Sequence, residues 1–253
     1  MRLTWLGHAT VLIELDGVRL LTDPVLRRSL LHLRRSRGVS LSAAGSPNLV
    51  LISHLHWDHF DLPSLARLGQ ETRIVAPLGS GKLLRRRRFE RIDEVSEGSE
   101  VRAGPLQIRA TYAEHKPGRG PWGPKVAALG YVVSGSSSVY FAGDTDLFPG
   151  MDGLEEGLDV ALLPIAGWGP TLPPGHLDVD RAAEAVRRLR PRVAIPIHWG
   201  TLRPSYRRTP YAGSNAAADF AAKVSEVAPS VEVRVLEVGA SCTIEPDGGG
   251  YSS

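Results

Sequence analysis

A single cysteine, Cys242, stands in the whole chain, which excludes an internal disulfide and fits a reducing compartment. No apolar stretch approaches the about 18 residues that a membrane-spanning helix needs, so no transmembrane segment is expected. Met1-Arg2 runs straight into Leu3-Thr4-Trp5-Leu6, without the charged region and long apolar core of a secretory leader. Cytoplasm is therefore the expected location. The formal net charge is only +3, too small to imply nucleic acid by itself. Arg85-Arg86-Arg87-Arg88 is the densest charge run, but Glu90, Asp93 and Glu94 follow at once, so it reads as a solvated face and nucleic acid is not an expected partner. Gly79-Ser80-Gly81-Lys82 lacks the spacing and the following Ser/Thr of a phosphate loop. Neither a short-period repeat nor a linker divides the 253 residues, and 42% hydrophobic with 23% charged residues is ordinary for a globular protein. One domain over residues 1–245 is expected, then a Gly/Ser-rich disordered tail at 246–253. Association into a homo-oligomer is left open.

What the chain does have is Ser53-His54-Leu55-His56-Trp57-Asp58-His59, directly after the apolar run Asn48-Leu49-Val50-Leu51-Ile52. On extended backbone His54 and His56 point the same way, with Leu55 opposite, so both imidazoles can grip one ion. Asp58 and His59 then face a neighbouring position. Imidazole nitrogen and carboxylate oxygen suit zinc, manganese or iron. Three more candidates follow strand-like runs: His115 after Leu106 to Tyr112, Asp144 after Ser138 to Gly143, and His198 after Arg192 to Ile197. Loops at one edge of a sheet sandwich converge in space, so these side chains are expected to meet.

Elsewhere, Thr10 to Leu15 and Val18 to Thr22 flank Asp16-Gly17, a strong two-residue hairpin signal. Arg27 to Pro47 shows no periodicity and is expected to be a surface excursion, a candidate mobile flap over the site. Leu62 to Leu68 and Gly79 to Arg88 are expected as short helices, and Ile92 to Tyr112 as two or three strands. A second β-rich half is expected from about Lys125: strands at Val126 to Val133, Ser137 to Ala142, Leu158 to Pro164 and Val193 to Ile197, and a helix at Val179 to Leu189. A further helix capped by Ser214 runs to about Val227, and Val231 to Val235 and Ser241 to Ile244 close the fold.

The chain resembles the metallo-β-lactamase superfamily nearly from end to end. The resemblance is carried by Trp5-Leu6-Gly7-His8-Ala9-Thr10, Leu21-Thr22-Asp23-Pro24, the His-x-His-x-Asp-His run, Gly143-Asp144-Thr145 and Pro196-Ile197-His198-Trp199-Gly200-Thr201. Trp-x-Gly-His-Ala-Thr with His-Trp-Gly-Thr is similar to the branch of L-ascorbate-6-phosphate lactonase and the N-acyl-phosphatidylethanolamine-hydrolysing phospholipase D. The resemblance implies an α/β (α+β) fold, a four-layer αββα sandwich. It implies two divalent ions, zinc first and manganese or iron as alternatives: His54, His56 and His115 hold one, Asp58, His59 and His198 the other, and Asp144 bridges. A hydroxide between the ions would attack a carbonyl carbon or phosphorus, with Asp58 orienting it. Asp23 looks like the buried acid that steadies a ligand ring, and it would also cap the turn before Pro24.

His176 is expected as a substrate contact or general acid, while His8 either reaches the site or bonds within the first hairpin. His32 is expected to be solvated. Lys116, Arg119 and Trp122 border His115, and Trp168 lies in another Gly/Pro-rich loop. The two cations would suit an anionic group and the two indoles a ring or apolar moiety. The expected activity is hydrolysis of a phosphodiester or an anionic lactone-type ester. Glyoxalase II-like thioester or amide hydrolysis is the alternative enzyme reading, and a metal- or anion-binding sensor the non-enzymatic one.

Overall fold

The structure is a computed structural model and describes residues 1–36, 41–119, 123–211 and 215–246. Two seven-stranded sheets dominate it. The first runs, in spatial order, Ser241–Thr243, Arg2–Gly7, Thr10–Leu15, Val18–Thr22, Leu49–Leu51, Arg73–Pro77 and Ile92–Val95. The second runs Glu232–Val233, Val193–Ile197, Val160–Pro164, Ser138–Phe141, Leu129–Ser134, Leu106–Tyr112 and Glu100–Ala103. Asp16 and Gly17 both adopt positive φ (49° and 77°), the conformation a two-residue turn needs to match strand twist, and Leu15 pairs with Val18 across it.

Side-chain alternation in the first sheet separates two apolar layers. Val11, Ile13, Leu20, Leu49, Leu51 and Val75 face a cluster shared with Ile108, Tyr131, Phe141 and Leu162 of the second sheet. Their neighbours Leu12, Leu21, Val50 and Ile74 face outward onto Leu65 of helix Leu62–Leu68 and Leu84 of helix Gly81–Arg85. Val160–Pro164 and Val193–Ile197 are buried at every residue, as central parallel strands covered on both faces must be. Their outer cover is helix Val179–Leu189, through Ala182, Val186 and Leu189, and helix Asn215–Val227, through Phe220 and Val224. The layers run helix, sheet, sheet, helix, as the resemblance implied.

Three expectations change. The chain passes to the second sheet between Val95 and Glu100, earlier than Lys125. Ser241–Thr243 then returns to the first sheet and pairs antiparallel with Arg2–Thr4. The excursion from Arg27 carries regular structure among its described residues. Ser29–Leu30 and Leu33–Arg35 form a hairpin that pairs with Leu202–Pro204 in a third, three-stranded sheet, and Leu41–Ala44 is one helical turn. Arg35 holds this hairpin down: its buried guanidinium donates to the carbonyls of Val25 (2.5 Å) and Leu6. The Ser214 cap and the tail from 247 onward lie outside the described residues.

Because the inner cluster draws on both sheets, Leu51→Ala and Leu162→Ala, one from each sheet, should each cost about 2–5 kcal/mol. Urea denaturation followed by circular dichroism should show one transition moved to lower urea in both variants. A variant whose curve split in two would show that the halves unfold separately.

Candidate metal centre

The ends of four strands set out this site. The regular strand ends at Leu51; Ile52 and Leu55 both enter the outer apolar layer, and the rings of His54 and His56 lie with their centroids 4.6 Å apart. The amides of His59 and Phe60 then both bond the His56 carbonyl (3.1 and 2.8 Å), a tight turn that carries Asp58 and His59 over the strand end. His115, Asp144 and His198 arrive just past Leu106–Tyr112, Ser138–Phe141 and Val193–Ile197. All seven side chains expected to meet do meet. Candidate ligand atoms of His54, His56 and His115 lie within 4.8 Å of one another, as do those of His8, Asp58, His59 and His198. Asp144 reaches both groups: Oδ2 is 3.2 Å from His59 Nε2 and Oδ1 3.2 Å from His198 Nε2, and one of its oxygens lies within 4.8 Å of a His115 ring nitrogen.

A buried hydrogen-bond chain orients these rings. Asp23 is fully buried and accepts from the Ser53 amide (2.7 Å), the Ser53 hydroxyl (2.5 Å) and His59 Nδ1 (2.7 Å). With its proton committed to Asp23, the Ser53 hydroxyl accepts from His54 Nδ1 at 2.9 Å. His115 Nδ1 donates to the Gly175 carbonyl (2.6 Å) and His198 Nδ1 to the Ala166 carbonyl (2.7 Å). In four rings the network therefore assigns the proton to Nδ1 and turns the Nε2 lone pair inward. The inward atoms crowd one another: His59 Nε2 is 3.1 Å from His198 Nε2, and His115 Nε2 is 3.0 Å from His56 Nδ1. His54 Nε2 and Asp144 Oδ1 are buried with no hydrogen-bond partner. Such atoms are costly unless a cation draws them together, and the donor set of imidazole and carboxylate fits divalent zinc, manganese or iron.

The electrostatics carry the same demand. Burial pushes His54 well below the usual imidazole range, with the charge of His59 next in effect, and takes His56 to about 4 and His8 to about 3. Burial also lowers His115. For Asp58 burial acts upward, but the neighbouring imidazoles, His59 first, outweigh it and hold the carboxyl well below its ordinary value. Asp144 behaves likewise, with His198 and His59 outweighing burial. At His59 burial acts downward, yet Asp144 and Asp58 hold it well above the usual value. Two buried carboxylates thus call for positive charge at one point.

Asp58 Oδ2 is gripped from two sides, by His8 Nε2 at 3.1 Å and by Trp168 Nε1 at 3.0 Å. His8 therefore reaches the site. His176 places Nε2 at 3.4 Å from Asp144 Oδ2 and donates from Nδ1 to the Pro173 carbonyl at 3.0 Å. A cavity of about 620 Å³ opens over this floor, and Trp168 and His176 line it.

The expected cations do not. Lys116 is exposed and outside the cavity lining. Arg119 turns to the backbone instead: Nη1 donates to the carbonyls of Leu55 (2.9 Å) and Phe60 (2.8 Å), and the guanidinium packs 3.9 Å over the Trp57 ring. Burial takes its pKa down to about 10 despite Asp61 nearby. It ties the two ends of the loop that carries His56, Asp58 and His59. Trp122 lies outside the described residues. His32, expected to be solvated, is exposed but lines the cavity and meets Trp168 edge-on at 5.3 Å. Ser53 was not singled out from the sequence. Its signal was a lone hydroxyl between an apolar strand and the first histidine.

The family model of the β-lactamase superfamily domain matches residues 18–199. The chain belongs to the metallo-β-lactamase superfamily. Within it, a UPF0173 metal-dependent hydrolase of Methanopyrus kandleri is 35% identical, over 95% of this chain and 99% of its own. A UPF0173 metal-dependent hydrolase of Opitutus terrae is 37% identical, over 83% of this chain and 89% of its own. Among solved structures, Igni18, a metallo hydrolase of Ignicoccus hospitalis, superposes with a TM-score of 0.76 at 28% identity, covering 96% of this chain and 98% of its own. The chain is thus a member of the UPF0173 metal-dependent hydrolases of this superfamily.

The superfamily motifs at 5–10 and 196–201 prove to lock onto each other. Trp5 stacks on Trp199 with centroids 5.4 Å apart and donates to the His8 carbonyl. The His8 amide donates to Thr201 Oγ1 (2.8 Å), and the His198 amide to the His8 carbonyl (3.0 Å). His8 and His198 both sit at positive φ (56° and 62°), and their rings lie 3.8 Å apart. Gly7 has no room for a side chain, since a Cβ there would come within 2.5 Å of the Arg35 guanidinium.

Removing an outer partner should loosen the metal without touching a ligand. Asp23→Asn, and separately Arg119→Met, should weaken zinc binding by about 10–100-fold, measured by competition with a chromogenic chelator. Unchanged affinity in both would show that the rings and the loop hold their places without these side chains.

Proposed function

We propose that the protein is a hydrolase that uses two divalent ions, zinc first among the candidates, to cleave an ester-type bond of a small substrate. His54, His56 and His115 would hold one ion, Asp58, His59 and His198 the other, and Asp144 both. The observation that carries this reading is the set of inward lone pairs, above all His54 Nε2 and Asp144 Oδ1, buried without a hydrogen-bond partner. Bound ions would supply Lewis acidity toward the substrate oxygen and bring the pKa of a water near 7.

The chain's own groups do the rest. Asp58, with Oδ2 fixed by His8 and Trp168, keeps a defined orientation from which Oδ1 can accept a proton from an attacking water. His176, on the cavity wall with Nδ1 committed to Pro173, would act as the imidazolium, a form that Asp144 favours against burial, and give its Nε2 proton to the leaving oxygen. The loop at 167–173 covers the floor and limits access of bulk water. The narrower likeness to the lactonase and phospholipase D branch supports a carboxylic ester such as a lactone, or a phosphodiester, as the bond broken.

The test is turnover of a chromogenic ester, a lactone and a chromogenic phosphodiester by protein stripped of metal and reloaded with zinc or manganese. Activity should follow reloading and vanish in the His54→Ala, His198→Ala double variant and in Asp58→Ala. His176→Ala should keep its metal content by elemental analysis and lose about 10²-fold in kcat. Full turnover by Asp58→Ala would refute the assignment of that carboxylate.

A further inference from the structure

The walls of the cavity differ in kind from its floor. The floor is imidazole and carboxylate, but one wall is Leu30, Leu31 and Leu33 of the hairpin, and the other is Trp168, Pro170 and Leu172. Neither lysine nor arginine is present among the described lining residues. Arg119 is spent on two backbone carbonyls, and Arg34 alternates outward while Leu33 and Arg35 are buried. Two large apolar side chains stand at the mouth: Leu31 is 66% exposed and Trp57 45%. Leu31 is held there by the turn itself, at φ 51°.

The hairpin is tied to the segment that carries His198. Leu33–Arg35 pairs with Leu202–Pro204, which follows His198 by four residues, and the Ser205 amide donates to the His32 carbonyl at 2.7 Å. Arg35 and the bond from the Ser36 amide to the Thr201 carbonyl (2.7 Å) tie its far end to the same segment. Apolar walls above a polar floor recognise a substrate by burying its hydrocarbon, with the reacting bond held at the floor. The reacting bond would meet the ions at the floor, so the walls act on the rest of the substrate: a charged substituent there would be desolvated with no lysine or arginine among the described lining residues to pair it.

We infer that the substrate is an uncharged carboxylic ester or lactone with an apolar body, and that the hairpin Ser29–Arg35 with the loop at 167–173 selects it. The inference rests on the hydrolase reading above and narrows it. Hydrolysis adds one water across the acyl C–O bond: the water oxygen ends on the acyl carbon, one of its protons on the departing alcohol oxygen, and the other leaves with ionisation of the acid.

The zinc-loaded protein is assayed with p-nitrophenyl acetate, butyrate, hexanoate and octanoate, and with bis(p-nitrophenyl) phosphate. Burying each added methylene should raise kcat/KM by about fourfold until the cavity is filled, and the longer esters should surpass the phosphodiester. Leu31→Asp and Leu172→Ser should each flatten that rise to under about twofold per methylene. Binding is read independently on metal-stripped protein, from the tryptophan fluorescence change with 2-hexyltetrahydrofuran, a lactone shape without the carbonyl. Affinity should exceed that of 2-methyltetrahydrofuran by at least about tenfold and lose that advantage in Leu31→Asp. A flat chain-length series, or a phosphodiester preferred over every ester with zinc-dependent turnover intact, overturns this inference and leaves the hydrolase reading standing. Absence of metal-dependent turnover on all substrates overturns both.

Discussion

The site depends on one desolvated carboxylate. Asp23 has no exposure to solvent, and burial raises its pKa, with His59 and Ser53 offsetting part of the cost. It can remain there because three donors converge on its two oxygens. Each donor belongs to the segment that carries the site: the amide and hydroxyl of Ser53 fix where the strand ends and how His54 is turned, and His59 is turned directly. The backbone of Asp23 is itself held, its amide on the Leu51 carbonyl and its own carbonyl accepting from Thr10. Loss of that carboxylate would free two rings, a hydroxyl and a strand end together.

A second set of constraints joins the sheets at the same edge. Trp5 against Trp199, and the bonds exchanged by His8, His198 and Thr201, press the first hairpin onto the end of a central strand of the other sheet. The left-handed backbone at His8 and His198 is costly for residues with a side chain. It is retained where it lays one imidazole over another and brings His8 to Asp58. Residues that look like a signature in the chain thus act here as a joint, and the joint aligns the two halves of the candidate ligand set.

What the sequence could disclose followed from how local each signal was. The hairpin around Asp16-Gly17, the helix Val179–Leu189 and the strand Val193–Ile197 have their periodicity and turn chemistry in a few adjacent residues, and they appear where expected. The candidate ligands were legible because each follows closely on an apolar run. The hairpin Ser29–Arg35 was not, since strands of two and three residues have no period to read and their partner, Leu202–Pro204, lies far along the chain. Arg119 misled for a similar reason. A charged side chain beside a glycine-rich turn suggests a ligand, whereas its partners are two main-chain oxygens 64 and 59 residues away. His32 was read by its basic neighbours, and only the fold brings Trp168 to it.

The pairing of Ser241–Thr243 with Arg2–Thr4 closes the first sheet with nearly the whole sequence between the partners. During synthesis on the ribosome, Arg2–Gly7 emerges long before its outer neighbour Ser241–Thr243. For most of translation the backbone edge of Arg2–Gly7 is uncovered, although Leu3, Trp5 and Leu6 are already in the chain. An uncovered apolar edge invites pairing with other nascent chains. Until Ser241–Thr243 is made, that edge of the first sheet stays open to such pairing.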